Sequence, residues 1–227
     1  MHRGLEQPVT PEELSSEHGE FLVRLARRAV EEYLRHGRRI EAPPETPAIL
    51  RRKGAAFVTI ESITPTGGYE LRGCIGLIYP VKPLADTVIE AAIEAATEDP
   101  RFPPMRPEEL ERVVFEVSVL GPFEKLPRDP AERVKAVKVG VHGLLVKRGF
   151  FQGLLLPQVP VEYLWDEETF LSETCVKAGM PPSCWLDEDT EIYRFTARIW
   201  KELEPGGRIV ERKLLEELSR RLKGMLG

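Results

Sequence analysis

Metal-ligating and redox side chains are scarce in this chain, and none falls in a working pattern. Its four histidines and three cysteines are too scattered for the paired spacings of a zinc site. Cys74, Cys175 and Cys184 are an odd number with no paired spacing, so no disulfide framework is expected and the thiols read as reduced. Several loops that carry common chemistries are missing. There is no phosphate-cradling Gly-x-x-x-x-Gly-Lys-Ser/Thr, no Gly-x-Gly-x-x-Gly after a strand, no Gly-x-Ser-x-Gly and no His-Glu-x-x-His. Those absences exclude the usual nucleotide, dinucleotide and zinc enzymes, and neither a cofactor nor a metal is expected.

No apolar run approaches the ~20 residues that cross a bilayer, and the N-terminal MHRGLEQPVTPEE lacks the apolar core of a signal peptide. The chain is therefore expected to be cytoplasmic, without a membrane partner. Positive charge is not in excess either. A net charge of -5 and a pI of 5.6 argue against a nucleic-acid partner.

What is present is the make-up of a soluble globular protein, with 42% hydrophobic and 30% charged residues over 227 positions. That length supports one domain or two closely packed subdomains. Dense charge and proline-rich loops (APPETP, DPRFPPMRP, GMPPSCW) fit a heat-adapted protein.

Along the chain, Thr10, Pro11 and Glu13 form a helix-start signal. The first long helix follows, with Phe21, Leu22, Leu25, Ala26, Ala29, Val30 and Tyr33 on one stripe and Gly37 ending it. AAFVTIESI and YELRGCIGLI read as strands joined at TPTGG. A helix after Pro83 lines up Leu84, Val88, Ala91, Ala92 and Ala95, and VVFEVSVL is a further strand. VGVHGLLVKRGFFQGLLL reads as short strands turning at Gly140 to Gly143 and at Arg148-Gly149. Asp166 caps a helix whose apolar face is Phe170, Leu171, Thr174, Cys175 and Ala178, with Trp165 stapling onto Phe170 and Gly179 as the stop. One last strand alternates Tyr193, Phe195, Ala197 and Ile199 against Arg194, Thr196 and Arg198, before the amphipathic ERKLLEELSRRLKG. Helices and hairpin-type strands mix without a βαβ rhythm. The fold class is α+β, with mixed or antiparallel sheets flanked by helices.

The stretch ELRGCIG (Glu70 to Gly76) is the strongest chemical signal. Strand alternation puts Arg72 and Cys74 on one face and Leu71, Ile75 and Leu77 on the other. Gly73 and Gly76 leave backbone uncovered beside the thiol, so a substrate or a neighbouring backbone can come close. Arg72 could favour the thiolate or hold an anionic group. The plainer reading is a small buried cysteine, with glycines marking a bulge or a helix crossing. A nucleophilic Cys74 wants a base, and His142, in the glycine-framed GVHGLL turn, is the histidine inside the folded middle of the chain. A surface turn histidine without function is the alternative. Asp99 and Arg101 in EDPRFPPM could orient a substrate, or pair with each other and lock the loop. Gln158 and Glu162 fall one turn apart if a helix begins near Pro157, and such a face commonly just meets water.

Taken in order, LRGCIG, DPRFPPM, FEVSVL, GVHGL, LLLPQVPVEYLWD and FLSETCVKAGMP resemble the AMMECR domain family, in its archaeal form, over roughly residues 18 to 203. The resemblance implies two subdomains around a cleft, the smaller at roughly 126–182, with the glycine–cysteine segment on the larger. Residues 1–17 would then be an N-terminal extension, and 204–227 a C-terminal amphipathic helix packed on the domain. At one position the chain departs from the family, with Leu164 where glycine is usual, which puts the turn before Asp166 in question. The family also includes members without a histidine at the place of His142, which weakens a general Cys–His mechanism.

The resemblance carries over no reaction. It is compatible with an enzyme or enzyme component acting on a small or nucleotide-like substrate, with Cys74 and His142 catalytic and Arg72, Gly73, Gly76, Asp99 and Arg101 binding. The alternative to that leading reading is a protein–protein adaptor or regulatory binding module without catalysis, for which family gene association makes a Memo-like or radical-SAM protein the candidate partner.

Overall fold

The computed structural model describes residues 7–225. The chain forms two compact units, one comprising the residues up to Leu120 with Arg198–Arg212, the other Gly121–Ala197 with the residues from Lys213 onward. Helices and two antiparallel sheets make this an α+β protein, as expected. No described helix is long and apolar enough to cross a membrane.

In the first unit, Thr10 and Glu13 close a capping box over a 3-10 turn, and Val9 and Leu14 are buried in the core. Helix α1 (Ser16–His36) starts at Ser15, whose hydroxyl accepts from His18 N–H, and stops at Gly37 in the left-handed conformation. The hairpin β1 (Ala55–Ile63) and β2 (Tyr69–Leu77) is followed by α2 (Leu84–Thr97) and β3 (Val113–Leu120).

In the second unit come β4 (Glu124–Lys125), α3 (Pro130–Ala136), β5 (Gly143–Arg148), β6 (Phe151–Leu155), α4 (Gln158–Tyr163), α5 (Glu167–Lys177) and β7 (Glu191–Phe195). The chain then returns to the first unit as β8 (Ala197–Glu202) and β9 (Ile209–Glu211), and ends in the second with α6 (Leu214–Met225). Strand order is β2-β1-β3-β8-β9 in one sheet and β4-β7-β5-β6 in the other.

The inner face of the five-stranded sheet carries Ala56, Val58 and Ile60 of β1 and Phe115, Val117 and Val119 of β3. All are buried against the Leu22–Val30 stripe of α1 and the alanine-rich face of α2. Arg27 of α1 is buried in the same core. Its guanidinium grips Glu202 in a two-pronged pair (2.7 and 2.6 Å) and donates to Val113 C=O (2.7 Å), while Glu202 also accepts from Phe115 N–H. A buried charge is tolerable when paired and hydrogen-bonded this fully.

Two expectations need correction. The single last strand is two strands, broken at Thr196, with β7 in one sheet and β8 in the other. Ile192, Phe195, Ile199 and Trp200 are the buried hydrophobic residues there, so Tyr193 and Ala197 do not belong to an inward row. Alternation reports which side of a ribbon is apolar, but not which sheet each half joins.

The cysteines also differ from expectation, because Cys175 and Cys184 form a disulfide. Gly179 reverses the chain after α5, and the 3-10 turn Pro182–Leu186 brings Cys184 back beside Cys175. Both are buried, and Cys74 is left as the free thiol. A nine-residue separation has no recognisable signature; the turn makes the pair.

The turn before Asp166 forms despite the missing glycine. Leu164 lies at φ 55°, ψ 41°, the one left-handed non-glycine among the described residues. Trp165 N–H donates to Pro160 C=O (2.9 Å), and its ring stacks on Tyr163 at 5.0 Å. Leu164→Gly relieves roughly 1–2 kcal/mol of backbone strain and adds about 0.5–1 kcal/mol of unfolded-chain freedom. The melting temperature is therefore expected to stay level or rise slightly. A loss above about 1 kcal/mol by chemical denaturation would mean that leucine packing, rather than backbone geometry, holds this turn.

Candidate functional site

β2 is the edge strand of the five-stranded sheet, and its pairing with β1 slips by one residue. Thr59 faces Cys74 and Ile60 faces Gly73, but Glu61 faces Leu71, leaving Arg72 as the extra residue of a β-bulge. The bulge overturns the expected alternation. Leu71, not Arg72, shares Cys74's face, while Ile75 lies on the inner face with Val58.

Arg72 turns instead to the loop beyond α2. Its Nε donates to Glu109 (2.8 Å), Nη2 donates to Pro103 C=O (2.9 Å), and the guanidinium lies 5.8 Å from the Phe102 ring centre.

Both glycines of ELRGCIG are covered by protein. Gly73 faces α2, where a Cβ would lie 2.0 Å from the Ala95 carbonyl oxygen. At Gly76 a Cβ would meet the Ala56 carbonyl at 2.3 Å and the Phe57 ring at 2.5 Å. The backbone at 73 is thus uncovered for a helix crossing.

Asp99 and Arg101 converge on Cys74 and complete its exposed strand edge. Cys74 N–H donates to Asp99 Oδ2 (2.9 Å), and Arg101 Nη2 reaches Cys74 C=O (3.4 Å), as a neighbouring strand would. Asp99 also accepts from Arg101 N–H, Nε and Nη2 at 3.1, 2.9 and 2.7 Å. Burial opposes ionisation of Asp99, but Arg101 and the two backbone N–H groups outweigh it and hold the carboxyl at about 2. Arg101 keeps 43% of its side chain exposed, beside Phe102.

Beneath these groups the outer face of the sheet is polar. Thr59 and Glu61 of β1 stand there with Glu116 and Ser118 of β3 and Cys74 of β2. Lys201 is paired with Glu61 and lies 3.8 Å from the Tyr69 ring centre. Arg212 Nη1 donates to Glu116 at 2.9 Å. Burial, then the neighbouring Glu116 carboxylate, raises the Glu61 pKa, with Lys201 and Arg212 pulling against them.

The Thr59 hydroxyl donates to the Cys74 sulfur (3.3 Å). Burial of the thiol, helped by Glu116 and Asp99, pushes it up to about 11 against the pull of Thr59 and Arg101. Arg72 plays no part, so Cys74 is a neutral thiol at neutral pH.

Sequence reading missed Glu61, Glu116, Lys201 and Arg212. A signal was available in TIES and FEVS, where every second residue of two otherwise apolar strands is polar. Only strand pairing shows that these polar positions share one face.

His142 belongs to the second unit, where it closes its own turn. Nδ1 accepts from Lys138 N–H (3.0 Å), and burial, followed by the Arg194 charge, lowers its pKa. Gln158 is buried, and Glu162 offers its backbone carbonyl to Arg221 of α6 (3.2 Å). Among the described residues no group of three or more His, Cys, Asp or Glu side chains could hold a metal.

The segments around Cys74, Asp99 and His142 all lie within residues 23–200, which match the AMMECR1 family model. The chain belongs to the AMMECR1 family. It is 55% identical over 202 residues to a protein of Thermococcus gammatolerans, covering 89% of this chain and 98% of that one. A protein of Aeropyrum pernix is 53% identical over 212 residues, covering 93% and 90%. The crystal structure of the uncharacterized protein PH0010 from Pyrococcus horikoshii superposes with a TM-score of 0.85 at 54% identity, over 88% of this chain and 98% of that one.

Two predictions follow from the geometry at Cys74. Alkylation of the native thiol, followed by mass spectrometry, is expected to stay slow through neutral pH and rise only toward about 11. A midpoint below the ~8.5 of a free thiol would reinstate a thiolate.

Asp99 is the second. Its folded pKa lies below the usual value, so its contribution is complete above 3.8 and is lost as pH falls toward about 2. Asp99→Asn should cost about 2 kcal/mol at neutral pH, measured by urea unfolding. The difference from wild type should shrink below pH 3.8.

Proposed function

We propose that the outer face of the first sheet binds a small or nucleotide-like molecule, and that the protein acts there as an enzyme or enzyme component. In this reading Glu61 handles a proton, and Cys74 contacts the ligand as a neutral thiol. The observation that carries the proposal is the pair of carboxylates, Glu61 and Glu116, held on one sheet face with Lys201 and Arg212. A sheet face with only a packing role needs no such set, whereas a carboxyl with a raised pKa suits general acid–base work. Thiolate chemistry is disfavoured by the burial of Cys74. Arg101, half exposed beside Phe102, suits an anionic group on the ligand.

The test is to expose the purified protein to a fractionated metabolite extract and identify retained small molecules by native mass spectrometry. Glu61→Gln and Arg101→Ala should each weaken retention about tenfold, equal to 1.4 kcal/mol, while the fold persists by circular dichroism. Undiminished retention in both variants, or no retained molecule at all, sinks this reading.

A second reading is favoured by a different observation. Tyr69 and Leu71 on edge strand β2, and Tyr79 and Val81 just beyond it, are exposed. Such an edge suits a protein partner, and Memo-like and radical-SAM proteins are the candidates that family association supplies. A stoichiometric protein captured by wild type and lost on Leu71→Asp would favour this adaptor role.

A further inference from the structure

The two sheets have four edges, and three of them carry a device that blocks further pairing. β2 is bulged at Arg72, charged at Glu70 and Arg72, and has Asp99 and Arg101 in the hydrogen-bonding positions beside Cys74. β9 is three residues long and β4 two, each with a charged side chain. β6 is the remaining edge, and its FQGLL has no charge, no proline and no bulge against β5. Among the described residues, β5 is the sole hydrogen-bonding partner of β6. The N–H and C=O groups along its outer side therefore find no partner within the described chain.

This bare edge is rigidly held and ends in apolar surface. α5 lies against one face of it, so closely at Gly153 that a Cβ there would come within 2.4 Å of Ala178 N. The strand is fixed before any partner arrives, which keeps the ordering cost of pairing small. The turn from β5 puts Gly149 in the left-handed region (φ 58°) and leaves Phe150 fully exposed, with Phe151 54% exposed at the start of β6. Hairpin turns favour glycine and small polar residues, and Phe150 has no packing role in its own chain.

We infer that β6 is the contact between two copies of this chain, paired antiparallel about a two-fold axis so that their four-stranded sheets run into one. An antiparallel pair of identical strands is self-complementary. FQGLL then satisfies its own outer backbone groups, and the assembly closes at two copies instead of propagating. Because the strand is uncharged, no like charges are opposed across the pair. The two-fold also brings the Phe150–Phe151 end of each strand beside the Leu155 end of the other. A phenylalanine buries about 150–250 Å², so these rings from two copies supply roughly half of the ~1,200 Å² at which stable interfaces begin. The paired strands, with the half-buried Leu154 and Leu155, add the rest. The inference rests on β6 and is independent of the outer face around Cys74.

Sedimentation velocity on the full-length protein, from micromolar to millimolar concentration, is expected to show a dimer. Phe150→Asp and Gln152→Lys, both at exposed positions, should together raise the dimer dissociation constant about a hundredfold, because the two-fold repeats each loss. The circular dichroism spectrum should not change. Hydrogen exchange at alternate amides of β6, those on its outer side, should be slower in wild type than in the double variant, while amides of β7 keep their rates. Glu61→Gln, in the first unit, should leave the dimer intact. A protein that stays monomeric throughout, or that assembles beyond two copies, overturns the inference. So does a dimer that survives the double variant, or equal β6 exchange in the two proteins.

Discussion

Helix α2 crosses β2 so closely at Gly73 that no side chain fits between them, and the arrangement around Cys74 follows from that contact. Removing the side chain lets the Ala95 carbonyl approach the strand, and the alanine-rich face of α2 makes the approach possible along its length. The strand accommodates by bulging at Arg72, which swings that arginine out of the ladder toward Glu109 and Phe102. The loop leaving α2 is carried beside the free edge of β2. There Asp99 and Arg101 occupy the hydrogen-bonding positions of the missing strand. A helix–strand contact thus sets both the edge clamp and the direction of the charged groups around the thiol.

The same constraint separates two roles that the string ELRGCIG runs together. Its glycines serve backbone approach within the protein, and its arginine serves the loop. Cys74 faces a polar sheet surface that α2 does not touch. Burial there keeps the thiol protonated, and the carboxyl on that face whose pKa is raised is Glu61, crowded by Glu116 and restrained by Lys201. A cysteine beside an arginine in sequence is therefore not an activated cysteine in space.

Much of the fold was legible from local pattern. Caps at Thr10 and Asp166, stops at Gly37 and Gly179, and the apolar stripes of α1, α2 and α5 lie where short-range chemistry puts them. At Leu164 local preference was misleading, since the left-handed turn forms without glycine. Hydrogen bonds to Pro160 and the Tyr163–Trp165 stack hold it in place.

The chain's own order of residues determined its longer helices, most of its strands, its α+β class and the family to which it belongs. These depend on periodicities and motifs spanning a few residues. Tertiary structure alone decided the slip that moves Arg72 off the Cys74 face, the change of sheet at Thr196 and the Cys175–Cys184 bond. It also gathered Glu61, Glu116, Lys201 and Arg212 from three strands and the segment after β9. Each of those outcomes depends on where one strand or turn meets another that is distant in sequence or reversed upon it. The free energy of such a meeting belongs to the pair, and neither segment carries it alone.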